Sequence, residues 1–347
     1  MSGKIAFVGA GAVGGYTGGH IARAGHDVTL IDPWAEHVAA IKHGGLQLGG
    51  TQGEHTVRVK ALHVAEVQSL AGSAIDIAFI CMKLYDTAWA TALIAPYLSP
   101  GGCVVTMQNG LVEDDVARIA GWGRTLGCIA STISVDAVAP GRIVRSQLPG
   151  GDAYTVFRVG ELNGLATARA QQIAEMLRCV DSAKVTSNLW GERWSKLTAN
   201  TMTTGLSALA GLDLNQVVEL QPARRVQIRL AAEAIRVGNA LGYKLEAIRG
   251  LPAEKWVAAA EGNAAALAEV EQCMLEGLKR RPEGGRSGTA QDLAKRRRTE
   301  VDFMNGYVAE RGTACGMPAP THAAIAALVR RIERGELEPA RDLLKLL

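Results

Sequence analysis

Apolar residues follow two different patterns along the chain, and the change from one to the other falls near residue 186. Before it, short apolar runs alternate with stretches of helical spacing, whereas beyond it only helical spacing remains. Short buried runs that alternate with helices are typical of βαβ units. The pattern predicts an α/β N-terminal domain with a parallel sheet over residues 1–186, and an all-α C-terminal domain over residues 187–347.

The first half contains seven strand-like runs, two of which carry the polar residues Lys83 and Asn109 near their carboxyl ends. Ligands of open parallel sheets bind beyond the carboxyl ends of the strands, so these two side chains are expected beside a cofactor. An ordinary turn position explains either residue equally well from the pattern alone. The runs are KIAFV (4–8), VTLI (28–31), DIAFICMK (76–83), CVVTMQNG (103–110), RTLGCIASTIS (124–134), DAYTVFRVG (152–160) and AKVTS (183–187).

The first run stops at GAGAVG, a G-x-G-x-x-G motif that opens a helical stretch. Gly9 permits a tight turn, Gly11 lets the backbone approach a pyrophosphate, and Gly14 allows close packing of the helix. The helix N-terminus supplies N–H groups and the positive end of a dipole. The motif, framed by strand and helix, predicts a dinucleotide site at Gly9, Ala10, Gly11, Ala12, Val13 and Gly14.

The second run ends at Asp32, where a carboxylate accepts hydrogen bonds from the adenosine ribose and repels a 2′-phosphate. No arginine follows within the next few positions. Asp32 therefore favours NAD over NADP as the cofactor. The alternative is a turn or helix-capping aspartate before Pro33.

Composition excludes several classes of protein. The net charge of +3 is small for 347 residues, and no apolar stretch reaches the ~20 residues that cross a bilayer, so neither nucleic acid nor a membrane is expected as a partner. The basic run from Lys295 to Arg298 is interpreted as a solvated helix, because four consecutive helical residues point around most of the circumference. Six dispersed cysteines and the absence of a secretion signal after Met1 predict a cytoplasmic protein.

Two polar segments stand out in the helical half, which prolines divide into six to eight expected helices. In WGERWSKLTANTMTTGL (190–206), Lys196 and Asn200 are four residues apart and share a helix face. In RRRTEVDFMNGYV (296–308), an expected helix places Glu300 beside a stripe of Val301, Met304 and Val308. Surface ion pairs are the alternative for both, with Glu192 as the partner of Lys196.

These residues resemble a known family. GAGAVG, CMK ending at residue 83, QNG (108–110), ERWSKLTAN (192–200) and QDLAKRRRTEVDFMNG (291–306) are similar, in order and spacing, to ketopantoate reductase (2-dehydropantoate 2-reductase). The resemblance covers nearly the whole chain. It implies an N-terminal Rossmann domain with a doubly wound parallel sheet, a helical C-terminal domain, and NAD(P)-dependent reduction of a 2-oxo acid, most directly 2-dehydropantoate to pantoate. Separately, the apolar faces of the helical C-terminal domain favour a homodimer.

The resemblance also implies roles for individual residues. Lys196 matches the general acid, Glu300 the carboxylate that binds the substrate hydroxyl, and Asn109 a further catalytic position. Lys83, Asn109 and Glu300 would also contact the cofactor. The substrate would be held by Asn200, Thr204, Ser287 and Lys83.

Three departures from the family pattern leave alternatives open. Thr204 stands where a second asparagine is common, Gly288 stands where the substrate-binding serine is expected, with Ser287 one residue earlier, and Asp32 does not suit the family's usual NADPH. An NAD-linked D-2-hydroxyacid dehydrogenase acting on another 2-oxo acid is one alternative, and a non-catalytic dinucleotide sensor is another. No metal site is expected, since no two histidines have HExxH-like spacing.

Overall fold

The computed structural model describes residues 3–279 and 285–347, so Met1, Pro282 and Gly284 lie outside the described residues. The chain divides into two compact units, Met1–Leu189 and Trp190–Leu347. The sequence places this boundary three residues earlier, after residue 186. Each unit is described by itself.

The first unit alternates strands with helices. In chain order the strands of its described part are β1 (Ile5–Val8), β2 (Val28–Asp32), β3 (Leu46–Gly50), β4 (His55–Val57), β5 (Lys60–His63), β6 (Ile75–Ile80), β7 (Leu98–Thr106), β8 (Thr125–Ala130), β9 (Val135–Ala139), β10 (Arg142–Arg145), β11 (Phe157–Glu161) and β12 (Ala183–Val185). The α-helices are α1 (Ala12–Arg23), α2 (Ala35–Gly44), α3 (Thr87–Ile94), α4 (Glu113–Ala120) and α5 (Ala168–Leu177).

Eight strands form the main sheet in the order β12-β11-β8-β7-β6-β1-β2-β5. All neighbouring pairs are parallel except β8 with β11, and the chain runs outward in both directions from the β1–β6 pair. This arrangement confirms the predicted doubly wound Rossmann fold. The change of direction at β1 and β6 is the switch point at which such sheets bind their ligands.

A second sheet, of order β4-β3-β10-β9, is absent from the sequence-based prediction. Its strands are short, and β9 is mostly exposed, so they lack the continuous apolar runs that reveal buried strands. The sheet packs on α1 at two glycines. A Cβ on Gly15 would lie 2.5 Å from Ile143, and one on Gly19 would lie 2.8 Å from Leu46.

The second unit is helical throughout its described part, as the sequence predicts. The α-helices there number nine rather than six to eight, since α7 and α8 are too short to show periodicity. They are α6 (Leu189–Thr201), α7 (Thr204–Ala210), α8 (Gln216–Glu219), α9 (Gln221–Ala240), α10 (Ala253–Ala260), α11 (Ala264–Leu278), α12 (Gly288–Ala294), α13 (Asn305–Ala314) and α14 (Pro320–Glu333).

The helix expected over residues 296–308 is wrong. Helix α12 ends at Ala294, and Arg296 has a φ of 51°, in the left-handed region that a right-handed helix cannot contain. A short 3₁₀ turn (Val301–Phe303) then precedes α13. The apolar stripe is nevertheless buried, because Val301, Met304 and Val308 are all at most 6% exposed.

Candidate active site

The glycine loop joins β1 to α1 at the carboxyl edge of the main sheet. Gly9 has a φ of 100°, and a Cβ on Gly14 would lie 2.0 Å from the carbonyl oxygen of Gly9, so the turn and the close packing both require glycine. A Cβ on Gly11 would meet nothing within 4 Å. The space in front of Gly11 is therefore open to a ligand.

Helix α1 begins at Ala12 without a side-chain cap at Gly11. The first N–H groups of a helix have no partner inside the helix, and here they start at Ala12 and Val13. Together with the open space at Gly11, these donors fit a pyrophosphate. The loop thus has the geometry that a nicotinamide dinucleotide requires.

Asp32 is the last residue of β2 and is 8% exposed. Its Oδ2 accepts a hydrogen bond of 2.7 Å from the N–H of Ala10, and its Oδ1 accepts one of 2.9 Å from the N–H of Trp34. Each carboxylate oxygen has two lone pairs, so each keeps acceptor capacity for a ribose hydroxyl. Asp32 therefore serves as a turn aspartate and still fits a ribose-binding role.

His37, whose role no local sequence pattern reveals, holds the same loop from α2. The fully buried imidazole accepts at Nδ1 from the N–H of Gly141 (3.0 Å), which leaves Nε2 to carry the proton and donate to the carbonyl oxygen of Ala10 (3.0 Å). Both backbone groups of Ala10 are thus fixed, one by Asp32 and one by His37. The partners lie 27 and 104 positions from His37 along the chain, beyond any local motif.

Lys83 and Asn109 follow the adjacent parallel strands β6 and β7 in the connections beyond them. Gln108 joins the two ends, since its Nε2 donates to the carbonyl oxygen of Met82 (2.9 Å) and to Oγ1 of Thr87 (2.8 Å). The paired residues Ile80 and Thr106 place both strand ends at one edge of the sheet. Lys83 is half-buried and Asn109 is exposed, so the structure brings together the two positions predicted from the strand ends.

In the second unit, α6 carries Lys196 and Asn200 on the face predicted from their spacing. Both side chains are half-buried, as is Glu192 one turn earlier, while the residues between them are mostly buried. A helix packed on most sides thus keeps one line of polar groups accessible. That line contains the expected general acid and the expected substrate-binding amide.

Thr204 does not continue this line on the same helix. Helix α6 ends at Thr201, the N–H of Thr203 bonds to the carbonyl oxygen of Asn200 (3.0 Å), and α7 starts afresh at Thr204. Thr204 would lie one turn after Asn200 only if the helix were continuous. The structure shows a break between α6 and α7 instead, so the two residues are on different helices. Thr204 is half-buried at the start of α7.

Ser287 lies against Thr204 and is 3% exposed. Its hydroxyl donates to the carbonyl oxygen of Thr204 (3.1 Å) and caps α12 by accepting from the N–H of Ala290 (3.2 Å). The Ser207 hydroxyl lies 3.3 Å away. A hydroxyl has one donor and two acceptor positions, and the donor of Ser287 is used on Thr204, so toward a substrate Ser287 can only accept. Its substrate-binding role stays a prediction. Gly288 is the first residue of α12.

Glu300 precedes the 3₁₀ turn and is half-buried. The segment that contains it is tied to α6 by Asn305, whose Nδ2 donates to the carbonyl oxygen of Thr201 (3.0 Å). Asn305 also donates to Nδ1 of the buried His322 (3.1 Å), which therefore carries its proton on Nε2, 2.9 Å from the carbonyl oxygen of Leu230. Within this unit, the structure thus links the Glu300 segment to the helix of Lys196 and Asn200.

The basic run from Lys295 to Arg298 lies beyond the end of α12, so the helix expected there is wrong, whereas all four residues are exposed, as the solvated interpretation expects. Arg296, Arg297 and Arg298 line one cavity of about 1120 Å³ at the C-terminal ends of α7, α12 and α14. Three carboxylates and the negative ends of three helix dipoles line the same cavity as five arginines. The arginines complement charges of the fold itself. The charged lining residues are Arg286, Arg296, Arg297, Arg298, Arg334, Asp213, Glu333 and Glu338.

The described residues contain neither a metal site nor a membrane span. Within residues 3–279 and 285–347, no group of three or more histidine, cysteine, aspartate or glutamate side chains is arranged to hold a metal ion. The helices of that same part include none with both the length and the apolar character that a membrane span needs.

Two family models match the chain. Residues 5–156 match "Ketopantoate reductase PanE/ApbA", and residues 188–333 match its C-terminal counterpart, "Ketopantoate reductase PanE/ApbA C terminal". Together they account for most of the chain. The first match lies within the first unit, and the second begins two residues before Trp190 and covers most of the second unit.

Individual proteins are also similar to the chain. The chain is 29% identical to 2-dehydropantoate 2-reductase of Halobacterium salinarum over 95% of this chain and 99% of that one. It is also similar to the crystal structure of a PanE/ApbA family ketopantoate reductase from Ralstonia eutropha, with a TM-score of 0.78, 27% identity and coverage of 96% and 99%. D-mandelate dehydrogenase with NADH and anilino(oxo)acetate has the same fold, with a TM-score of 0.78, 21% identity and coverage of 96% and 98%.

Proposed function

Because the chain belongs to the ketopantoate reductase family, we propose that it reduces a 2-oxo acid to the 2-hydroxy acid with a nicotinamide dinucleotide, and that 2-dehydropantoate is its first candidate substrate. Membership of this family makes it an NAD(P)-dependent oxidoreductase acting on CH–OH groups. The accessible polar line of Lys196 and Asn200 on an otherwise buried α6 carries the proposal.

Lys196 is the proposed general acid. The bound dinucleotide would supply a hydride to the carbonyl carbon, which moves the C=O electron pair onto oxygen. The Lys196 ammonium group, within hydrogen-bond reach, stabilises the developing negative charge and then donates its proton to that oxygen. Lysine is ordinarily protonated at neutral pH, so it is ready for the reductive direction.

The remaining predicted residues bind and orient. Asn200, one turn from Lys196, is proposed to fix the substrate by donating its amide N–H, and Glu300 to accept from the substrate hydroxyl. Thr204 and Ser287 are proposed to line the same pocket. The hydrogen bond from the Ser287 hydroxyl to the backbone carbonyl oxygen of Thr204 supports a shared location. Orientation of this kind supplies a large part of the rate enhancement of two-substrate enzymes.

In the first unit, the loop of Gly9–Gly14 is proposed to bind the pyrophosphate, with Lys83 and Asn109 toward the nicotinamide. Asp32 is proposed to bind the adenosine ribose and to favour NAD, because its buried carboxylate would repel a 2′-phosphate. The spare acceptor capacity of both Asp32 oxygens supports this assignment. NADP is the expected cofactor if the family preference prevails.

Asp32 also favours a second candidate function, an NAD-linked D-2-hydroxyacid dehydrogenase acting on a 2-oxo acid other than 2-dehydropantoate. Thr204 in place of a second asparagine and Gly288 in place of a serine both change the expected substrate pocket. The acid chemistry of Lys196 serves any 2-oxo acid. The reaction is therefore the same, and only the acid differs.

A panel of 2-oxo acids with NADH and NADPH tests these alternatives. We expect cofactor oxidation with 2-dehydropantoate and a higher kcat/KM with NADH. Turnover of another 2-oxo acid without turnover of 2-dehydropantoate would select the second candidate. Cofactor binding without oxidation by any acid of the panel would instead identify a non-catalytic sensor.

Two properties accompany this proposal. The six cysteines are all free, which supports a reducing, cytoplasmic location for the protein. We propose a homodimer, which light scattering of the purified chain tests directly: a mass near 73 kDa, twice about 36.6 kDa, is expected, and the monomer mass contradicts it.

A further inference from the structure

Trp34 exposes a large aromatic ring beside the proposed ribose site. Trp34 is 39% exposed and directly precedes α2. Its indole stacks on the imidazole of His37, with ring centroids 5.1 Å apart and an interplanar angle of 11°. One face of the indole is covered by this stack, so the exposed area includes the opposite face.

The imidazole beneath Trp34 is held rigidly. His37 is fully buried, and both ring nitrogens are bonded, Nδ1 to the N–H of Gly141 and Nε2 to the carbonyl oxygen of Ala10. A ring with both nitrogens engaged has its plane fixed. Trp34 is therefore oriented by a residue that also fixes the glycine loop.

The backbone places this ring next to the ribose. The N–H of Trp34 donates to Oδ1 of Asp32 (2.9 Å), and Oδ2 of Asp32 accepts from the loop residue Ala10. A ribose bound by Asp32 carries its base on C1′, adjacent to the 2′-hydroxyl. The base is consequently within reach of the side chain that follows Asp32 by two residues.

From this arrangement we propose that the open face of Trp34 is the platform on which the adenine ring of the dinucleotide stacks. The inference rests on the proposed function, because it requires the dinucleotide to bind with its ribose at Asp32. Stacking needs only the π-face of the base, so the platform recognises an adenine nucleotide without reading its edges.

The competing explanation is that Trp34 merely covers His37. If Trp34 only shields His37 from solvent, its replacement leaves the affinity for every ligand unchanged. A platform instead affects ligands that contain adenine and spares those that lack it. Trp89, which is 43% exposed on α3, provides a matched control for the loss of an exposed indole in the same unit.

Calorimetric titration of the full chain with three ligands separates the two explanations. The ligands are NADH, ADP-ribose and reduced nicotinamide mononucleotide, of which only the last lacks adenine. We expect Trp34→Leu to raise the Kd for NADH and ADP-ribose by about 5- to 150-fold, the range that stacking on one aromatic side chain supplies, and to leave the mononucleotide unchanged. Trp89→Leu should bind all three like the wild type.

Trp34→Tyr keeps an aromatic ring and should recover most of the affinity for NADH, which distinguishes lost stacking from a disturbed fold. Wild-type affinity for NADH and ADP-ribose in Trp34→Leu would overturn the platform alone. Equal weakening of all three ligands by Trp34→Leu and Trp34→Tyr would also overturn it. Failure of the wild-type chain to bind NADH or NADPH would overturn the proposed function, and the platform with it.

Discussion

Asn305, a fully buried side chain at the start of α13, donates a hydrogen bond of 3.0 Å to the carbonyl oxygen of Thr201, the last residue of α6. The residues that it connects are 104 positions apart. The hydrogen bond satisfies a backbone carbonyl oxygen at the C-terminal end of α6, the helix that carries Lys196 and Asn200. It also connects that end to the segment that contains Glu300. We interpret Asn305 as a positioning residue for the proposed active site.

Replacing this amide should affect both stability and turnover. Asn305→Ala leaves the Thr201 carbonyl oxygen and Nδ1 of His322 without their buried donor, at a cost of about 1–3 kcal/mol in the free energy of unfolding. We expect kcat to fall by about tenfold while the Kd for NADH stays unchanged. Asn263→Ala, which removes the N-cap of α11, should cost about 1 kcal/mol without changing kcat. Unaltered kcat in Asn305→Ala would contradict the positioning role.

His322 should make the protein less stable in mild acid. Burial lowers the pKa of His322 from 6.5 to about 4, against an opposing hydrogen bond to the carbonyl oxygen of Leu230. On acidification, the histidine of the unfolded chain is therefore protonated at a higher pH than His322 of the folded protein. The stability that comes from the neutral, buried His322 is complete above about pH 6.5 and is lost as the pH falls toward 4. The loss attributable to His322 between pH 7.5 and 5 is about 2 kcal/mol.

Urea unfolding of the wild type and of His322→Gln at those two pH values measures this difference. The wild type should lose about 2 kcal/mol more than the variant on acidification. His20, whose pKa burial also lowers to about 4, is unchanged in both proteins and cancels in the comparison. Parallel pH dependence of the two proteins would show that His322 is not the titrating group.

Asp32→Asn should shift cofactor preference. The substitution keeps the shape of the side chain and removes the charge that opposes a 2′-phosphate. We expect the ratio of kcat/KM with NADPH to that with NADH to rise by about tenfold, equivalent to about 1.4 kcal/mol. Asp27→Asn, on the exposed residue before β2, should leave the ratio as it is. An unchanged ratio in Asp32→Asn would remove Asp32 from cofactor selection.

A buried ion pair in the first unit should contribute strongly to its stability. Arg145 and Asp181 form a hydrogen-bonded ion pair, and their side chains are 0% and 1% exposed. Asp181 also accepts a hydrogen bond from the N–H of Gly150 (2.9 Å). Asp181→Ala leaves a buried guanidinium without its counter-charge, at a cost of about 3–5 kcal/mol in urea unfolding.

The exposed pair of Arg236 and Glu261 gives the comparison for this ion pair. Their side chains are 41% and 60% exposed, so solvent screens the interaction, and Glu261→Ala should cost at most about 1 kcal/mol. Similar losses in Asp181→Ala and Glu261→Ala would contradict the distinction between buried and exposed pairs.

The sequence predicts elements whose signal is local. The seven apolar runs correspond to strands of the main sheet, and the glycine motif marks the turn at Gly9, because continuous apolarity and glycine conformations are properties of neighbouring residues. The second sheet is missed for the same reason, since β3, β4, β9 and β10 are short and only partly buried. The break after Ala294 is missed because helical spacing continues in the sequence across it.

The contacts that assemble the candidate site are not local. His37 reaches Ala10 and Gly141, and Asn305 reaches Thr201, across 27 to 104 positions. In the sequence, each is one more polar residue with no periodic signal. Only folding shows that they fix the loop and the helix on which the predicted binding and catalytic residues lie.

The turnover number of Lys196→Ala, measured with NADH and the 2-oxo acid that the wild type prefers, tests the central claim most directly. We predict a fall in kcat of about 10²- to 10⁴-fold, the contribution of a positioned general acid, with an unchanged Kd for NADH. Lys255→Ala, which removes an exposed lysine paired with Glu269 in the same unit, should keep wild-type activity. A Lys196→Ala protein that turns over as fast as Lys255→Ala would contradict the account.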